Sequence, residues 1–143
     1  MSDNAALEFV DTNILVYAHD QSAGEKHAAA RKLVSRLWET RQGCLSVQIL
    51  QEFYVTVTRK VAQPLKPEEA AEIIRDLSFW RMHAPSAEDV LGAIDVQRHY
   101  HTSFWDAMVI HSAACLGCKV IWSEDLSDGQ MYDAVQVKNP FAR

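Results

Sequence analysis

Acidic residues recur in this sequence where a strand ends or a helix begins, and such positions can build a charged site. Asp11 follows the apolar run "ALEFV", Asp125 follows "KVIWS", and Asp106 stands near the start of a long apolar run. Clustered carboxylates raise one another's pKa unless cations lie between them. Hard ions such as Mg²⁺ and Mn²⁺ prefer oxygen ligands and share their remaining positions with water and phosphate. The residue types therefore indicate metal-assisted phosphodiester chemistry.

Alternating strands and helices are the elements that must bring these acids together. Strands are predicted at 6–10, 44–47, 81–85, 119–122 and 134–137, and helices at 24–43, 48–60, 68–80, 86–100 and 103–117. This order predicts an α/β fold class: a three-layer α/β/α arrangement with a mainly parallel central sheet of about five short strands. Ligands bind such sheets at the carboxyl ends of the strands. Asp11, Asp106 and Asp125 should therefore share one edge.

Particular residues mark the expected helix ends. Gly43 and Gly117 are predicted to terminate the helices that precede them. The acidic turn after Pro67 suits a helix start, and Ser86-x-x-Asp89 is typical of a capping box. These signals support the predicted boundaries.

Glu52 has a weaker case from its pattern alone. The apolar spacing of its helix predicts a buried face formed by Leu50, Phe53, Tyr54 and Val57. Glu52 lies nearly opposite that face, which favours a solvated glutamate. Its longer side chain can nevertheless reach the edge where the aspartates are expected.

The aspartates also have ordinary structural explanations. Ser103-x-x-Asp106 is a capping box, Asp11-Thr12-Asn13 can be an Asx cap, and Asp125 can belong to a turn in "SEDLSDGQ". The helix at Asp106 is apolar on nearly all sides, so an unpaired carboxylate at its buried end would be costly or protonated. Each explanation suffices singly, but together they make three acids at one edge a coincidence.

Length, charge and cysteine content limit the function classes. The chain has 143 residues and is 48% hydrophobic, which suits one domain spanning residues 1–143. Its net charge of -5 gives no basic footprint for nucleic acid, so a polyanionic substrate needs cations or local bases such as Arg59, Lys60 and Lys66. Three cysteines and no apolar run long enough to span a membrane predict a soluble cytoplasmic protein with free thiols.

Some polar residues outside the acidic set favour plain interpretations. Cys115-Leu-Gly-Cys118 matches a redox or half-zinc pattern, but it lies at a helix end and has no second CxxC. Asp128 is interpreted as a turn aspartate rather than a further metal ligand. His99 and His101 precede the Asp106 helix and can touch phosphate or a base, although solvation explains them equally well.

Stretches in order along the chain resemble a known family. They are "FVDTNILVYA", "LQEFY" around Glu52, "SFWDAMVIHSAACLGCKVIWSEDL" and the trailing "DGQ". These stretches are similar to the PIN domain, and specifically to the VapC-like ribonuclease toxins of bacterial toxin-antitoxin pairs. The resemblance covers essentially the whole chain, and the order and spacing of its short motifs make it specific.

The resemblance implies site residues and a reaction. It implies a catalytic and metal-binding quartet that holds Mg²⁺ or Mn²⁺: Asp11, Glu52, Asp106 and Asp125. It also implies polar neighbours that orient carboxylates or waters: Thr12, Asn13 and Ser123. The implied reaction is endonucleolytic hydrolysis of RNA by a metal-activated water, without a covalent enzyme intermediate.

The resemblance further implies partners. These are an RNA substrate, a second copy of the chain in a homodimer, and a cognate antitoxin whose tail enters the acidic groove. An antitoxin arginine among the carboxylates makes physical sense because it replaces the cation. No membrane partner is expected.

Competing interpretations predict different residues. A haloacid-dehalogenase-type phosphatase needs a second acid two residues after its nucleophile, where this sequence has Asn13. A receiver domain needs a phosphorylatable aspartate after its middle strand, and "RMHAPS" has none. A catalytically silent PIN-like module that binds RNA or protein remains the non-enzymatic alternative, although the complete acidic quartet argues against it.

Overall fold

One central sheet organises residues 6–142, the part of the chain that the computed structural model describes. Its strands are β1 (Glu8–Val10), β2 (Gly43–Ser46), β3 (Arg81–His83), β4 (Val120–Trp122), β5 (Met131–Tyr132) and β6 (Val135–Lys138). The strand order is β3-β2-β1-β4-β6-β5, and every neighbouring pair is parallel except β5 with β6. The predicted mainly parallel sheet is therefore confirmed, with slightly more strands than expected.

Helices cover both faces of this sheet. They are α1 (Thr12–His19), α2 (Glu25–Thr40), α3 (Val47–Arg59), α4 (Pro67–Leu77), α5 (Ala87–Tyr100) and α6 (Phe104–Cys115). Helix α1 packs against α2 and α3, and α3 packs against α4, whereas α5 pairs with α6. The strand order reverses direction after β3, so right-handed crossovers put the α5 and α6 pair on the opposite face. The predicted three-layer architecture follows.

Two of these elements are additional to those predicted from the sequence. Helix α1 begins directly after Asp11 and is only eight residues long, with Ile14, Leu15, Val16 and Ala18 buried. Burial on most sides removes the polar face that would reveal a helical period. Strand β5 pairs only with β6 and has two residues. Two residues are too few to show the alternation of apolar and polar side chains that predicts a strand.

The sequence predicts that α2 ends at Gly43, and this prediction is wrong. Helix α2 ends at Thr40, and Arg41 terminates it in the left-handed conformation with φ of 59°. Gly43 instead begins β2, where a Cβ atom would lie 2.4 Å from the ring of Trp80. The glycine is needed for close packing rather than for a turn. Gly117 does follow α6 with φ of 75°, as predicted.

A hydrophobic core between the layers fixes the sheet in place. Its largest fully buried side chains are Phe9, Val10, Ile14, Leu15, Leu37, Leu45, Ile49, Phe53, Val57, Leu77, Ile110 and Ile121. Within the described part of the chain, no helix combines the length and apolar character needed to cross a membrane.

The sheet has a topological switch point between β1 and β4. The chain leaves β1 toward β2 on one side, whereas β4 pairs with β1 on the other side and leads to β6. The backbone N–H of Asp11 donates to the carbonyl of Trp122 across this point, at 2.9 Å. Ligands of parallel α/β sheets bind where strand order reverses, because the connecting loops diverge there.

Candidate active site

Asp11 stands at the switch point and is 6% exposed. It is the N-cap of α1, and its Oδ1 accepts a hydrogen bond from the Thr12 backbone N–H at 2.8 Å. Its Oδ2 accepts one from the Ser123 hydroxyl at 2.8 Å. The carboxylate therefore does cap a helix, as the ordinary explanation requires, and it is also fixed against the end of β4.

Ser123 connects the first acid to the last. Its side chain is fully buried, and its Oγ accepts the backbone N–H groups of Asp125 at 3.1 Å and Leu126 at 3.2 Å. The same hydroxyl donates to Asp11. One side chain thus orients the Asp11 carboxylate and shapes the turn that carries Asp125.

Glu52 extends from α3 toward the same edge. The Thr12 hydroxyl donates to its Oε1 at 2.6 Å, and the Gln48 amide donates to its Oε2 at 3.2 Å. Glu52 is half-buried, so the fully solvated side chain that the periodicity predicted is not what the structure shows. The buried face of α3 runs through Ile49, Phe53 and Val57 and leaves Tyr54 37% exposed, which brings Glu52 to the flank of the packed face.

Asp106 lies in the first turn of α6, on the opposite face of the sheet from α3. Its backbone N–H donates to the Ser103 hydroxyl at 3.1 Å, so Ser103 caps the helix. Its carboxylate is half-buried and interacts with the negative charges of Asp125 and Glu52. Asp106 thus belongs to the cap of α6 and is close enough to Asp125 and Glu52 for their charges to raise its pKa.

Electrostatic coupling connects the acids. Burial raises the pKa of Asp11 to about 6 against the hydrogen bonds of Ser123 and Thr12, and the charges of Asp125 and Glu52 add to the rise. Burial, followed by the charges of Asp125 and Glu52, likewise raises the pKa of Asp106 despite its hydrogen bond with Ser103. Asp125 itself is exposed. The fold therefore assembles negative charge at a cost that a bound cation would offset.

The oxygen-only character of this cluster fits a hard divalent ion. Among residues 6–142, no lysine or arginine forms an ion pair with any of the four acids. A cleft of about 760 Å³ opens beside them, with Thr12, Asn13, Glu52 and Asp125 in its lining. Carboxylates around an open, solvated position suit Mg²⁺ or Mn²⁺, which keep waters and bind substrate phosphates.

Two lysine side chains, Lys26 and Lys60, also line this cleft. Lys26 pairs with Glu124, which also accepts the Tyr17 hydroxyl at 2.7 Å. Lys60 follows α3 and is exposed on the other side of the cleft. Lys60 is one of the three local bases singled out in the sequence, and it gives the cleft a positive group beside its acids.

Asn13 has an unusual environment at the start of α1. Its Oδ1 accepts the Glu124 backbone N–H at 3.3 Å, whereas its Nδ2 is buried without a hydrogen-bond partner among the described residues. A buried unpaired amide donor costs free energy. The residue is also one of those that line the cleft.

The remaining polar residues near the site have structural roles. Asp128 accepts the Asn139 backbone N–H at 2.8 Å and so holds its turn. The ring of His99 packs against Tyr100, and His101 ends α5 with φ of 59°. None of these contacts involves the four acids.

Gln48 is a site neighbour that the sequence analysis does not identify. It is 8% exposed, and its Nε2 donates to Glu52 and, at 3.3 Å, to the backbone carbonyl of Trp105. It thereby connects α3 to the start of α6. The available signal is an amide one helical turn before Glu52, on a flank where a buried polar group needs a partner.

Comparisons with known proteins give a family for the sequence and similar structures for the fold. The sequence matches the PIN domain family over residues 9–127. No curated protein sequence matches it at a significant level. The fold is similar to VapC20 of Mycobacterium tuberculosis, a sarcin-ricin loop cleaving toxin, with TM-score 0.63 and 22% identity over 82% of this chain and 91% of that one.

Two toxin-antitoxin structures share the fold over nearly their whole chains. A toxin-antitoxin complex from Klebsiella pneumoniae gives TM-score 0.68 at 16% identity, covering 94% of this chain and 98% of that one. DNA-bound VapBC from Salmonella typhimurium gives TM-score 0.65 at 13% identity, with the same coverage of 94% and 98%. At these identities the similarity is one of fold.

Proposed function

Because this chain belongs to the PIN domain family, we propose that it is a divalent-metal-dependent endoribonuclease and the toxin of a toxin-antitoxin pair. The observation that carries the proposal is the buried Asp11 carboxylate, whose pKa rises to about 6 beside other acids. Four different segments of the chain contribute the proposed catalytic and metal-binding residues: Asp11, Glu52, Asp106 and Asp125. The stability of the fold does not account for such a cluster, because each ionised acid raises the free energy of ionising the others.

In this proposal the chain's own residues bind, orient and align. The four carboxylates hold the ion, and three polar neighbours orient them or a water: Thr12, Asn13 and Ser123. When bound, a divalent ion lowers the pKa of a water and neutralises charge on the phosphodiester. The Thr12 hydroxyl fixes Glu52, the Ser123 hydroxyl fixes Asp11, and Asn13, whose buried amide nitrogen lacks a partner among the described residues, lines the cleft.

RNA is the proposed substrate and a cognate antitoxin the proposed partner. VapC20 is a toxin that cleaves the sarcin-ricin loop, and the Klebsiella and Salmonella structures hold toxins with antitoxins. The net charge of -5 means that the cation and Lys60 must attract the RNA backbone locally. An antitoxin arginine that enters the cleft would replace the cation. We propose a homodimer as the toxin's own assembly.

The test is RNA cleavage by the purified protein. Total cellular RNA is incubated with Mg²⁺, with Mn²⁺ or with a chelator, and the new 5′ ends are mapped. Asp106→Asn removes a proposed ligand while keeping a side chain that can join the helix cap. Asp95→Asn, at an exposed position of α5, is the matched control.

Each outcome separates the enzyme from a binding module. Discrete metal-dependent cuts that Asp106→Asn abolishes and Asp95→Asn preserves support the nuclease. No cleavage by the wild type, with RNA binding that neither metal nor Asp106→Asn changes, would favour the catalytically silent module instead. Cleavage that persists equally in Asp106→Asn would remove Asp106 from the active site.

A further inference from the structure

A second polar cluster lies away from the acidic site, between β3, α5 and α6. The Asp89 Oδ1 atom accepts a hydrogen bond from Nε2 of His111 at 2.9 Å, and its Oδ2 atom lies 3.3 Å from Nε2 of His83. The Cys115 thiol is 3.3 Å from Nε2 of His111 and 3.7 Å from Oδ1 of Asp89. Donor atoms of His83, Asp89 and Cys115 all lie within 4.8 Å of one another. β3, α5 and α6 thus bring three of these donors within 4.8 Å of one another, and His111 contacts two of the three, Asp89 and Cys115.

The local structure explains how each donor reaches this point. His83 ends the edge strand β3, and Asp89 lies in the first turn of α5, where Oδ2 accepts the backbone N–H of Ser86 at 2.8 Å. His111 and Cys115 are four residues apart on α6, so they share one face of the helix. The predicted capping box of α5 is confirmed.

A fully buried serine orients one of the imidazoles. The Ser112 hydroxyl and Nδ1 of His83 are 2.7 Å apart, which turns Nε2 toward Asp89. A metal-binding histidine commonly uses its second ring nitrogen in this way, because the hydrogen bond fixes the tautomer and the ring plane. The imidazole of His83 is also largely shielded, with its side chain 12% exposed.

A glycine in the middle of α5 makes room for the other imidazole. A Cβ atom at Gly92 would lie 2.4 Å from Cε1 and 2.8 Å from Nδ1 of His111. Glycine inside a helix is unfavourable relative to alanine, so a position that requires it indicates a contact of value. Here the contact is the close packing of the His111 ring against the α5 backbone, which holds its Nε2 beside Asp89 and Cys115.

We propose that His83, Asp89, His111 and Cys115 form a binding site for a Zn²⁺ ion. Two imidazole nitrogens, one carboxylate oxygen and one thiolate sulfur are a four-ligand set of the borderline-soft kind that zinc prefers. In a tetrahedral zinc site the ligand atoms are about 3.3 to 3.8 Å apart. The separations of 3.3 Å and 3.7 Å from the Cys115 sulfur, and of 3.3 Å between His83 Nε2 and Asp89 Oδ2, lie within this range, whereas the 2.9 Å between His111 and Asp89 must lengthen when the ion enters.

Charge balance supports the same ion. Binding deprotonates the Cys115 thiol, whose proton passes to solvent, and leaves one carboxylate, one thiolate and two neutral imidazoles around a 2+ ion. The net charge of the filled site is zero. A hard Mg²⁺ ion, by contrast, prefers oxygen ligands, so the two clusters of this protein are expected to take different metals.

The zinc site would clamp the edge strand to the helix pair. Helix α6 carries Cys115 about 14 Å along its axis from Asp106. The clamp therefore supports the helix that presents a proposed catalytic acid, without touching the cleft. The CxxC pattern is not the basis of this site, because Cys118 is buried and its free thiol forms a hydrogen bond with the free thiol of Cys44.

The test measures metal binding by the full chain without RNA, so its outcome is independent of the proposed nuclease. Metal-free protein in excess Mg²⁺, which occupies the oxygen site, is titrated with Zn²⁺ in competition with a chromophoric chelator. Co²⁺ then serves as the spectroscopic probe, because tetrahedral coordination gives strong visible bands and a thiolate ligand gives a charge-transfer band. Circular dichroism checks that each metal-free variant is folded.

The variants distinguish the proposed zinc ligands from a histidine outside the cluster. We expect one Zn²⁺ per chain in the wild type, at least about 100-fold weaker binding in Cys115→Ser and His83→Gln, and loss of the charge-transfer band in Cys115→Ser. His99→Gln, an exposed histidine outside the cluster, should bind as the wild type does. No stoichiometric binding by the wild type, or unchanged binding in folded Cys115→Ser and His83→Gln, would overturn the proposal. A cobalt spectrum without the thiolate band would do the same.

Discussion

The two polar clusters of this molecule differ in donor chemistry and in how the fold supports them. The acidic cluster offers only carboxylates, and it lies at the switch point between β1 and β4, where loops diverge beside an open cleft. The second cluster offers nitrogen, oxygen and sulfur at the end of the edge strand β3, packed between α5 and α6. An open site of oxygen donors suits a metal that acts on a substrate, whereas a mixed nitrogen, oxygen and sulfur set from three elements suits a metal that joins them. The Cys115 thiol of this second cluster is exposed.

The clusters nevertheless share one device. Each has a fully buried serine whose hydroxyl contacts a proposed ligand from another segment: Ser123 contacts Asp11, and Ser112 contacts His83. Such outer contacts tune a metal site as much as the ligands do. The comparison therefore predicts that matched changes in the two clusters affect different metals and different measurements.

The largest expected effect is on catalysis at the switch point. Asp11→Asn keeps the size of the side chain but removes the negative charge at the centre of the quartet. We expect RNA cleavage to fall at least about 100-fold, because metal-derived charge stabilisation amounts to several kcal/mol. Single-turnover cleavage rates at saturating Mg²⁺ measure this. Zn²⁺ binding should not change, and a parallel loss of both metals would contradict the separation of the clusters.

The same substitution should increase stability above pH 6. The pKa of Asp11 is raised from 3.8 to about 6, so the folded state favours the protonated carboxyl. The contribution of the protonated Asp11 carboxyl to the free energy of unfolding is complete below pH 3.8, and it is lost as the pH rises through about 6. Wild-type protein without metal therefore has a penalty of at most about 3 kcal/mol at neutral pH, which the uncharged amide of the Asp11→Asn variant removes.

Urea unfolding with a chelator present measures this difference. We expect Asp11→Asn to be about 1 to 3 kcal/mol more stable than the wild type near pH 7.5, with the difference shrinking toward pH 4. Saturating Mg²⁺ should narrow the gap by stabilising only the wild type. A difference independent of pH would mean that the buried charge of Asp11 is not its source.

Local signals are what made the acidic edge predictable. Asp11 follows a strand, Asp106 begins a helix, and Asp125 follows another strand, and these three statements need only neighbouring residues and the parallel α/β pattern. Glu52 was not predictable from periodicity, because the packed face of α3 is set by contacts with α1 and α4 as well as the sheet. Those contacts bury Ile49 rather than Tyr54 and turn Glu52 toward Thr12.

The second cluster depends on register, which the sequence does not reveal. His83 and His111 meet only because α5 and α6 approach each other closely at Gly92, and because β3 lies at the edge beside β2. No motif spacing encodes that approach. The sequence shows only a glycine inside a helix and a histidine and a cysteine four residues apart on another helix, each of which has ordinary explanations.

A smaller effect is expected from the serine of the acidic cluster. Ser123→Ala removes the donor to Asp11 and the acceptor for the N–H groups of Asp125 and Leu126. We expect cleavage to fall about 10- to 100-fold. At saturating Mg²⁺ the loss of cleavage should be smaller than in Asp11→Asn. Ser123→Thr, which keeps a hydroxyl, is the conservative comparison. Full activity in Ser123→Ala would remove the orienting role of this serine.

The smallest expected effect comes from the equivalent serine of the second cluster. Ser112→Ala leaves all four zinc donors in place but removes the hydrogen bond that holds the His83 ring. We expect Zn²⁺ affinity to fall about 10-fold, while RNA cleavage at saturating Mg²⁺ stays at the wild-type level. Competition titration and single-turnover cleavage on the same preparation measure both. If Ser112→Ala lowered cleavage as much as Ser123→Ala does, the two clusters would have to be coupled through α6, which carries both Asp106 and His111.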